Sequence, residues 1–354
     1  MVIRTDRMGD VILSLPVLTA LKRTFSKLTM MVRPYAYDLV SGHPHLDSII
    51  FDDEGGAHKG IIGFLHLVKI IKKLKFDTAI ILHPTFRLVL LTFLSGIPQR
   101  VGTAFRLYSF LLNKKVYHHR KRSRKHELNL NLEVIKAIGI DIDTIQFNFF
   151  IPSEAKDQIS QLLDLNKNEK QPVIVLHPGS GGSARDWSPQ KFGQLAQQLK
   201  RELDAFIVLT GTFSEVRLVD KVETIAGTKL LRLDGQLKIK ELAALLHAAD
   251  LLIANSTGPL HLAVAVGTKV IGLYCPIEPC LPDRWGPYDI QTMSYQTDSV
   301  IMPDMTACKK CIGKDCGLWD CMENIPVSEV FNLARKKLMI DDDHFMKHRH
   351  MKKV

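Results

Sequence analysis

Residues 173–203 read VIVLHPGSGGSARDWSPQKFGQLAQQLKREL. Val173–Leu176 is a short apolar run of the kind a buried parallel strand uses, and the loop behind it, from His177 to Trp187, is rich in small and polar residues. Ser188 then offers an N-cap and Pro189 stands at the first helical position, so a helix is expected from Pro189 to Leu203. A strand, a glycine-rich loop and a helix in that order form the unit from which α/β folds with parallel sheets are built.

The same alternation extends in both directions. Downstream, strands are expected at Ala205–Leu209, Leu230–Leu233, Leu251–Ala254 and Val270–Tyr274, with helices at Lys240–Ala248 and Leu260–Val266. Upstream, strands are expected at Met1–Arg4, Thr29–Arg33, Ser48–Phe51 and Thr78–Leu82, with helices at Asp10–Phe25 and Gly60–Leu74. The register breaks at Phe149-Phe150-Ile151-Pro152-Ser153. The chain therefore divides into two Rossmann-like domains, 1–152 and 153–326, with a cleft between them. A C-terminal helix over 327–340 is expected to pack back toward the first domain, and a polar tail over 341–354 to fray.

Length and composition agree with that division. The 354 residues are 46% hydrophobic, 24% charged and 7% aromatic, a soluble globular balance that excludes disordered, collagen-like and disulfide-stapled chains. The longest uncharged apolar stretch, Leu88 to Ile97, is too short for a membrane span of roughly 18 residues. Arg4, Asp6, Arg7 and Asp10 interrupt the place where a signal peptide would carry its apolar core, so a cytoplasmic location is expected. Formal charge is +10, which points to an anionic partner. Much of it is concentrated in KKVYHHRKRSRKH at 114–126, with seven Lys or Arg and no acid. That run reads as a solvated face, as a grip on an anionic lipid head group or membrane surface, or as an RNA track on which Tyr108, Phe110 and Tyr117 would stack bases.

Ligands of such sheets sit beyond the carboxyl ends of the strands, so the chemistry belongs in the strand-to-helix loops. Three loops stand out. In Arg4-Thr5-Asp6-Arg7-Met8-Gly9-Asp10, Gly9 permits a tight turn and Asp10 lies at a helix N-terminus, either as a cap or as a carboxylate facing the site. In the loop 177–187, small residues let backbone amides approach a phosphate and Arg185 supplies a charge, with a purely structural turn as the plain alternative. Gly179, Gly181 and Ala184 match a dinucleotide fingerprint, but the next strand ends in Leu209-Thr210-Gly211 without the acidic residue that would hold a ribose, which disfavours a nicotinamide enzyme. In Asn255-Ser256-Thr257-Gly258-Pro259-Leu260-His261, a helix N-terminus and two hydroxyls make a second anion site, and His261 is either a phosphate or sugar partner or an ordinary buried histidine. Two such loops in one domain suit a diphosphate. Cys308, Cys311, Cys316 and Cys321 are spaced too tightly for the usual zinc ribbon, so reduced thiols are expected, with zinc as the alternative. Cys275 and Cys280 read as incidental.

Taken together, IRTDRMGDVILSLP at 3–16, HPGSGGSARDW at 177–187, ANSTGPLHLAVAVG at 254–267, RWGP at 284–287 and CMENIPVSEV at 321–330 resemble the heptosyltransferase family, glycosyltransferase family 9. The resemblance implies a GT-B fold and an inverting transfer from ADP-heptose to the inner core of lipopolysaccharide, with no metal and no cofactor. It places the general base on Asp10 and the acceptor near Arg7 and Gly9, with Arg120, Lys121 and Arg122 of the basic run gripping its anionic groups at the inner membrane surface. The helix N-terminus is expected to keep Asp10 ionised. The resemblance places the donor on Gly179, Ser180, Gly182, Ser183, Arg185 and Thr210, on Glu215 as a ribose carboxylate, and on Ser256, Thr257, Gly258 and His261.

Two departures stand against the family pattern. Ser256 occupies a position where many members carry Asp, which leaves another nucleotide-sugar donor, or a member with altered activity, as the near alternative. The first strand is also short for a buried parallel strand of about 5–6 residues, which points to a start a few residues upstream. An RNA-binding protein using the basic run is the alternative from another class.

Overall fold

The computed structural model of the protein describes residues 1–120, 123–168, 170–306, 308, 316 and 320–339. The chain forms two compact units: Met1–Phe150 with Asp289–Ser294, and Ile151–Tyr288 with the remainder. The break falls within a few residues of the one expected from Phe149 to Ser153.

The first unit holds a six-stranded parallel sheet. Its strands are β1 (Val2–Ile3), β2 (Thr29–Val32), β3 (Ser48–Phe51), β4 (Thr78–Ile81), β5 (Gln99–Thr103) and β6 (Lys114–Val116), in the order β3-β2-β1-β4-β5-β6. Its helices are α1 (Met8–Ile12), α2 (Leu15–Lys22), α3 (Tyr37–Val40), α4 (Gly60–Lys73), α5 (Phe86–Leu94) and α6 (Glu127–Lys136). Strands β1, β2 and β4 are wholly buried, as parallel strands covered on both faces must be. Leu67, Val68 and Ile71 of α4 and Leu88, Val89 and Leu91 of α5 pack with Ile3, Met31, Ala79 and Ile81.

The expected helix from Asp10 to Phe25 is two helices. Pro16 lies in the first turn of α2, and proline has no N–H to continue the ladder from α1. Ser14 occupies the junction, its hydroxyl donating to the Asp10 carbonyl at 2.8 Å.

The second unit repeats the plan. β7 (Val173–His177), β8 (Phe206–Leu209), β9 (Leu231–Arg232), β10 (Leu251–Asn255) and β11 (Val270–Leu273) precede a short ribbon, β12 (Tyr288–Asp289) and β13 (Ser294–Tyr295), and then β14 (Val300–Ile301). The parallel sheet runs β14-β11-β10-β7-β8-β9. Helices α7 (Ser153–Asn166), α8 (Pro189–Leu203), α9 (Val216–Ala226), α10 (Ile239–Ala248), α11 (Gly258–Ala265) and α12 (Pro282–Trp285) connect the strands, and α13 (Val327–Met339) closes the described chain. Helix α8 starts as the sequence predicts, with Ser188 as N-cap and Pro189 in the first turn. The buried side chains of α13, Val330, Phe331 and Ala334, join the core of the second unit with Trp187, Phe192 and Leu199. The tail 341–354 lies outside the described residues. Among the described residues, no helix is long and apolar enough to cross a membrane.

Strand order fixes where ligands can bind. In the first sheet the chain leaves β1 in one direction and resumes at β4 in the other; in the second, the same reversal falls between β7 and β10. Side-by-side strands whose connections depart in opposite directions leave a crevice at their carboxyl ends. The loops after β1, β4, β7 and β10 are therefore the candidate sites.

Gly193 on α8 sits where α9 passes closest: a Cβ there would lie 2.6 Å from Cβ of Ile225 and 2.8 Å from the Val222 carbonyl. Gly193→Ala is expected to lower stability by about 1–3 kcal/mol through overpacking, read as a drop in Tm. An unchanged or raised Tm would mean that α8 and α9 can separate at little cost.

Candidate active site

At the carboxyl end of β1 the structure buries a guanidinium. Arg4 is 1% exposed. Its Nε lies 2.9 Å from Asp6, one Nη pairs with both Asp10 and, at 2.9 Å, Glu127, and the other donates to Asn131 Oδ1 at 3.0 Å. Arg120 joins from the basic run. It pairs with Glu127, donates to the Leu82 carbonyl, and reaches Asn131 Oδ1 at 3.1 Å. Asn131 in turn donates to the Leu13 carbonyl at 3.1 Å and to Ser14 at 3.3 Å, tying the cluster to the α1–α2 junction. From the loop after β4, His83 Nδ1 stands 3.0 Å from Asp6.

The cluster holds three carboxylates against two guanidiniums, and its electrostatics follow. Burial works against charge on Arg4, but Glu127, Asp10 and Asp6 outweigh it and raise its pKa above the ordinary arginine value. Burial pushes Asp6 upward, yet the hydrogen bond with His83 and the charge of Arg4 leave it below the usual carboxylate range. Asp10 goes the other way. Burial is the largest cause, Asp6 and Glu127 repel its charge, and together they outweigh Arg4, so its pKa rises. The N-terminus of α1, a helix of only five residues, is thus outweighed by burial in setting the direction of the shift. A carboxyl lifted in this way is a stronger proton acceptor once ionised.

The basic run does not act as one surface. Lys114 and Lys115 lie exposed on the edge strand β6, where lysines discourage edge-to-edge pairing. Lys125 pairs with Glu133 at 2.5 Å, and His118 with the same carboxylate at 2.9 Å. Arg120, expected to face the acceptor, is turned inward because the buried charge of Glu127 requires a partner. Lys121 and Arg122 lie outside the described residues. Arg7 is exposed at the N-cap of α1, and Gly9 is partly buried within it.

In the second unit the loops after β7, β8 and β10 converge. Asn255, fully buried at the end of β10, accepts from the Trp187 N–H at 2.9 Å and donates to the Pro178 carbonyl at 2.6 Å. Ser183 Oγ bridges the Ser180 carbonyl at 2.8 Å and the Ser256 carbonyl at 3.1 Å. Gly181 and Gly182 both adopt positive φ, +56° and +70°, which L side chains rarely accept. His177 Nδ1 lies 3.0 Å from Thr210 Oγ1, and burial lowers the imidazole pKa to about 4, keeping the ring neutral.

Glu215 stands in this cluster as a brace. One oxygen accepts from the Gly181 N–H at 3.1 Å and the other from Thr212 N–H and Oγ1, both at 2.8 Å. Burial pushes its pKa upward, but the hydrogen bonds from Thr212 and Gly181 prevail and lower it. With both oxygens so engaged, it supports the glycine-bearing loop. Within the loop the Gly181 amide is given to Glu215, and the Ser183 amide to the Ser180 carbonyl at 3.1 Å. Arg185, 20% exposed, lies 3.3 Å from the Cys316 carbonyl and 3.9 Å from Asp320, and in the first turn of α11, behind Thr257 and Gly258, helix geometry leaves amides without intrahelical partners. His261 is buried in that helix, its ring 6.3 Å from that of Trp285.

Several residues escaped the sequence reading. Asn131, Glu127 and Asn255 are polar positions in otherwise apolar segments, a weak signal of buried hydrogen bonding. Asp186, next to Arg185, is pushed up to about 6, chiefly by burial. Cys280 touches the Ser183 carbonyl at 3.6 Å, and its hydrogen bond is the largest cause of a Cys275 thiol lowered to about 6, so neither cysteine is remote from the loop. Cys311 lies outside the described residues; among those described, no group of three or more His, Cys, Asp or Glu gathers as a metal site would.

Two parallel α/β units, one with a partly buried carboxylate at its switch point and the other with paired loops at its own, are the architecture of a GT-B fold. Residues 64–316 match the model of glycosyltransferase family 9 (heptosyltransferase), and the chain belongs to that family. It is 29% identical over 299 residues to an unconfirmed glycosyltransferase of Haemophilus influenzae, covering 81% of this chain and 85% of that one. It is 23% identical to the lipopolysaccharide core heptosyltransferase OpsX of the same species, covering 81% of each. Among solved structures, it superposes on Escherichia coli ADP-heptose lipopolysaccharide heptosyltransferase II with a TM-score of 0.73 at 18% identity, covering 96% of this chain and 98% of that one.

A Cβ at Gly179 would land on the Glu215 carboxylate. Gly179→Ala is therefore expected to expel Glu215 from beneath the loop and weaken nucleotide binding by about tenfold or more, measured by calorimetry. Unchanged affinity would show that the brace does not shape the site.

Proposed function

We propose that the protein is an inverting, metal-independent heptosyltransferase that moves a heptose from ADP-heptose to an inner-core lipopolysaccharide acceptor at the cytoplasmic face of the inner membrane. The observation that carries this reading is the partly buried carboxyl of Asp10, lifted in pKa yet held in place by Arg4. Support for the donor and acceptor comes from OpsX and heptosyltransferase II, whose names carry the lipopolysaccharide core and ADP-heptose.

In this reading Asp10 accepts the proton of the acceptor hydroxyl as that oxygen attacks the anomeric carbon. An in-line attack inverts the centre, and the base belongs on the side opposite the departing diphosphate. Arg185 and the α11 N-terminus, with Thr257 and Gly258, offset the charge growing on the leaving ADP, a task that a divalent cation performs in other transferases. Ser180, Gly182, Ser183, Thr210, Ser256 and His261 shape the donor pocket, and Arg7 and Gly9 border the acceptor. Ser256 offers a hydroxyl where the family often has a carboxylate, which makes the donor sugar the point to test.

Asp10→Ala is expected to reduce kcat by about 10²–10⁴-fold while leaving ADP affinity unchanged. Retained turnover would remove Asp10 from the mechanism. Wild-type protein should bind ADP in preference to UDP and GDP, and Arg185→Ala should weaken that binding about tenfold to a hundredfold. Preference for another diphosphate would keep the transferase and change its donor.

The pH dependence has a definite sign. Asp10 must be ionised to act, so activity falls as pH drops through its raised pKa. Removing the like charge nearby in Glu127→Gln is expected to lower that pKa and move the acidic limb of the kcat profile to lower pH. A limb that stays in place, or moves to higher pH, would assign it to another group.

A further inference from the structure

The connections that follow β3, β4 and β5 share the carboxyl edge of the first sheet with Asp10, and each carries apolar side chains out into solvent. Ile61 and Ile62 begin α4 with 79% and 86% exposure; Phe86 begins α5 at 58%; Leu107 and Phe110, in the turn after β5, reach 96% and 75%. Two contacts join these segments. The Arg87 guanidinium lies 5.1 Å over the Phe64 ring, and Phe86 meets Tyr108 edge-on at 5.9 Å. The tips therefore form one strip across neighbouring elements, and an exposed apolar strip of this kind marks an interaction surface.

Charge selects the partner. Residues 78–126 contain ten Lys or Arg and not one Asp or Glu. Arg106, Lys114, Lys115 and Arg124 are exposed there. The acids at the foot of α4 are occupied: Asp52 holds Arg87 at 2.8 Å, Glu54 meets Arg33 at 3.2 Å, and Asp53 accepts from the Ala57 amide at 2.9 Å. Apolar tips inside a cationic surround match an anionic bilayer, where the tips enter the acyl boundary and the cations meet lipid phosphates. A second copy of the same face would bring cations against cations. RNA would leave Ile61, Ile62 and Leu107 without a role, because aliphatic side chains do not offer the aromatic platforms on which bases stack.

We infer that the edge of the first unit formed by Ile61, Ile62, Phe86, Leu107 and Phe110 is a docking surface for anionic phospholipid bilayers. It would seat the Asp10 site at the membrane, so that a lipid-linked acceptor reaches it without leaving the bilayer; that use rests on the transferase reading, whereas the surface rests on exposure and charge alone.

The test is co-sedimentation of the full chain with vesicles of phosphatidylethanolamine and phosphatidylglycerol, against vesicles of phosphatidylcholine alone. Wild type should prefer the anionic vesicles, and salt should weaken the association. Leu107→Ser combined with Phe110→Ser should reduce it about tenfold or more while leaving transfer to a lipid-free acceptor fragment unchanged. Wild type that ignores anionic vesicles, or a double variant that binds them as well as wild type, would overturn the surface. So would a double variant whose lost binding tracks the breakup of a dimer in sedimentation velocity, or one that instead loses affinity for single-stranded RNA. If vesicle binding behaves as expected but no nucleotide binds and no sugar is transferred, the transferase reading fails and the surface stands.

Discussion

A fully buried guanidinium cannot be left without counter-charges, and in this protein Arg4 dictates much of its surroundings. It sits at the end of a two-residue central strand, where Asp6, Asp10 and Glu127 converge on it from the following loop and from α6. Three carboxylates against Arg4 and Arg120 leave one negative charge in excess. Within the cluster Asp10 is the carboxyl whose pKa is raised, chiefly by burial and by the charges of Asp6 and Glu127. The same constraint draws Arg120 inward and ties α6 to the α1–α2 junction through Asn131.

The second unit is organised by bonds from side chains to backbone. Asn255, Ser183 and Glu215 tie its loops together, which in the proposed reading leaves Arg185 and the α11 N-terminus to meet the diphosphate. The division is physically sensible. A base needs a low-dielectric setting that lifts its pKa, whereas a diphosphate needs donors fixed in advance so that binding costs little reorganisation.

The sequence made the α/β alternation, both glycine-bearing loops and the Ser188-Pro189 helix start legible, because strand runs, proline and capping residues act locally. It did not reveal partners distant in the chain. Glu215 appeared free to hold a ribose until its position beneath Gly179 and Gly181 was known. Arg120 appeared to belong to a cationic surface until Glu127, seven residues on, was found buried beside it. Cys275 and Cys280 lacked a motif, and only folding brings them against Ser183 and each other. For Asp10 the position was legible and the electrostatics were not, since the shift depends on burial and on Glu127 more than a hundred residues away.

Burial and two neighbouring carboxylates raise the proton affinity of Asp10 despite its contact with Arg4. Carbon-13 NMR titration of side-chain carboxyls, with Asp10 assigned by its missing signal in Asp10→Asn, tests this directly. The expected midpoint lies above the ordinary aspartate value of 3.8. A midpoint at or below that value would mean that Arg4 dominates the site, and that Asp10 is an ion-pair partner holding the loop in place instead of a base tuned to accept a proton.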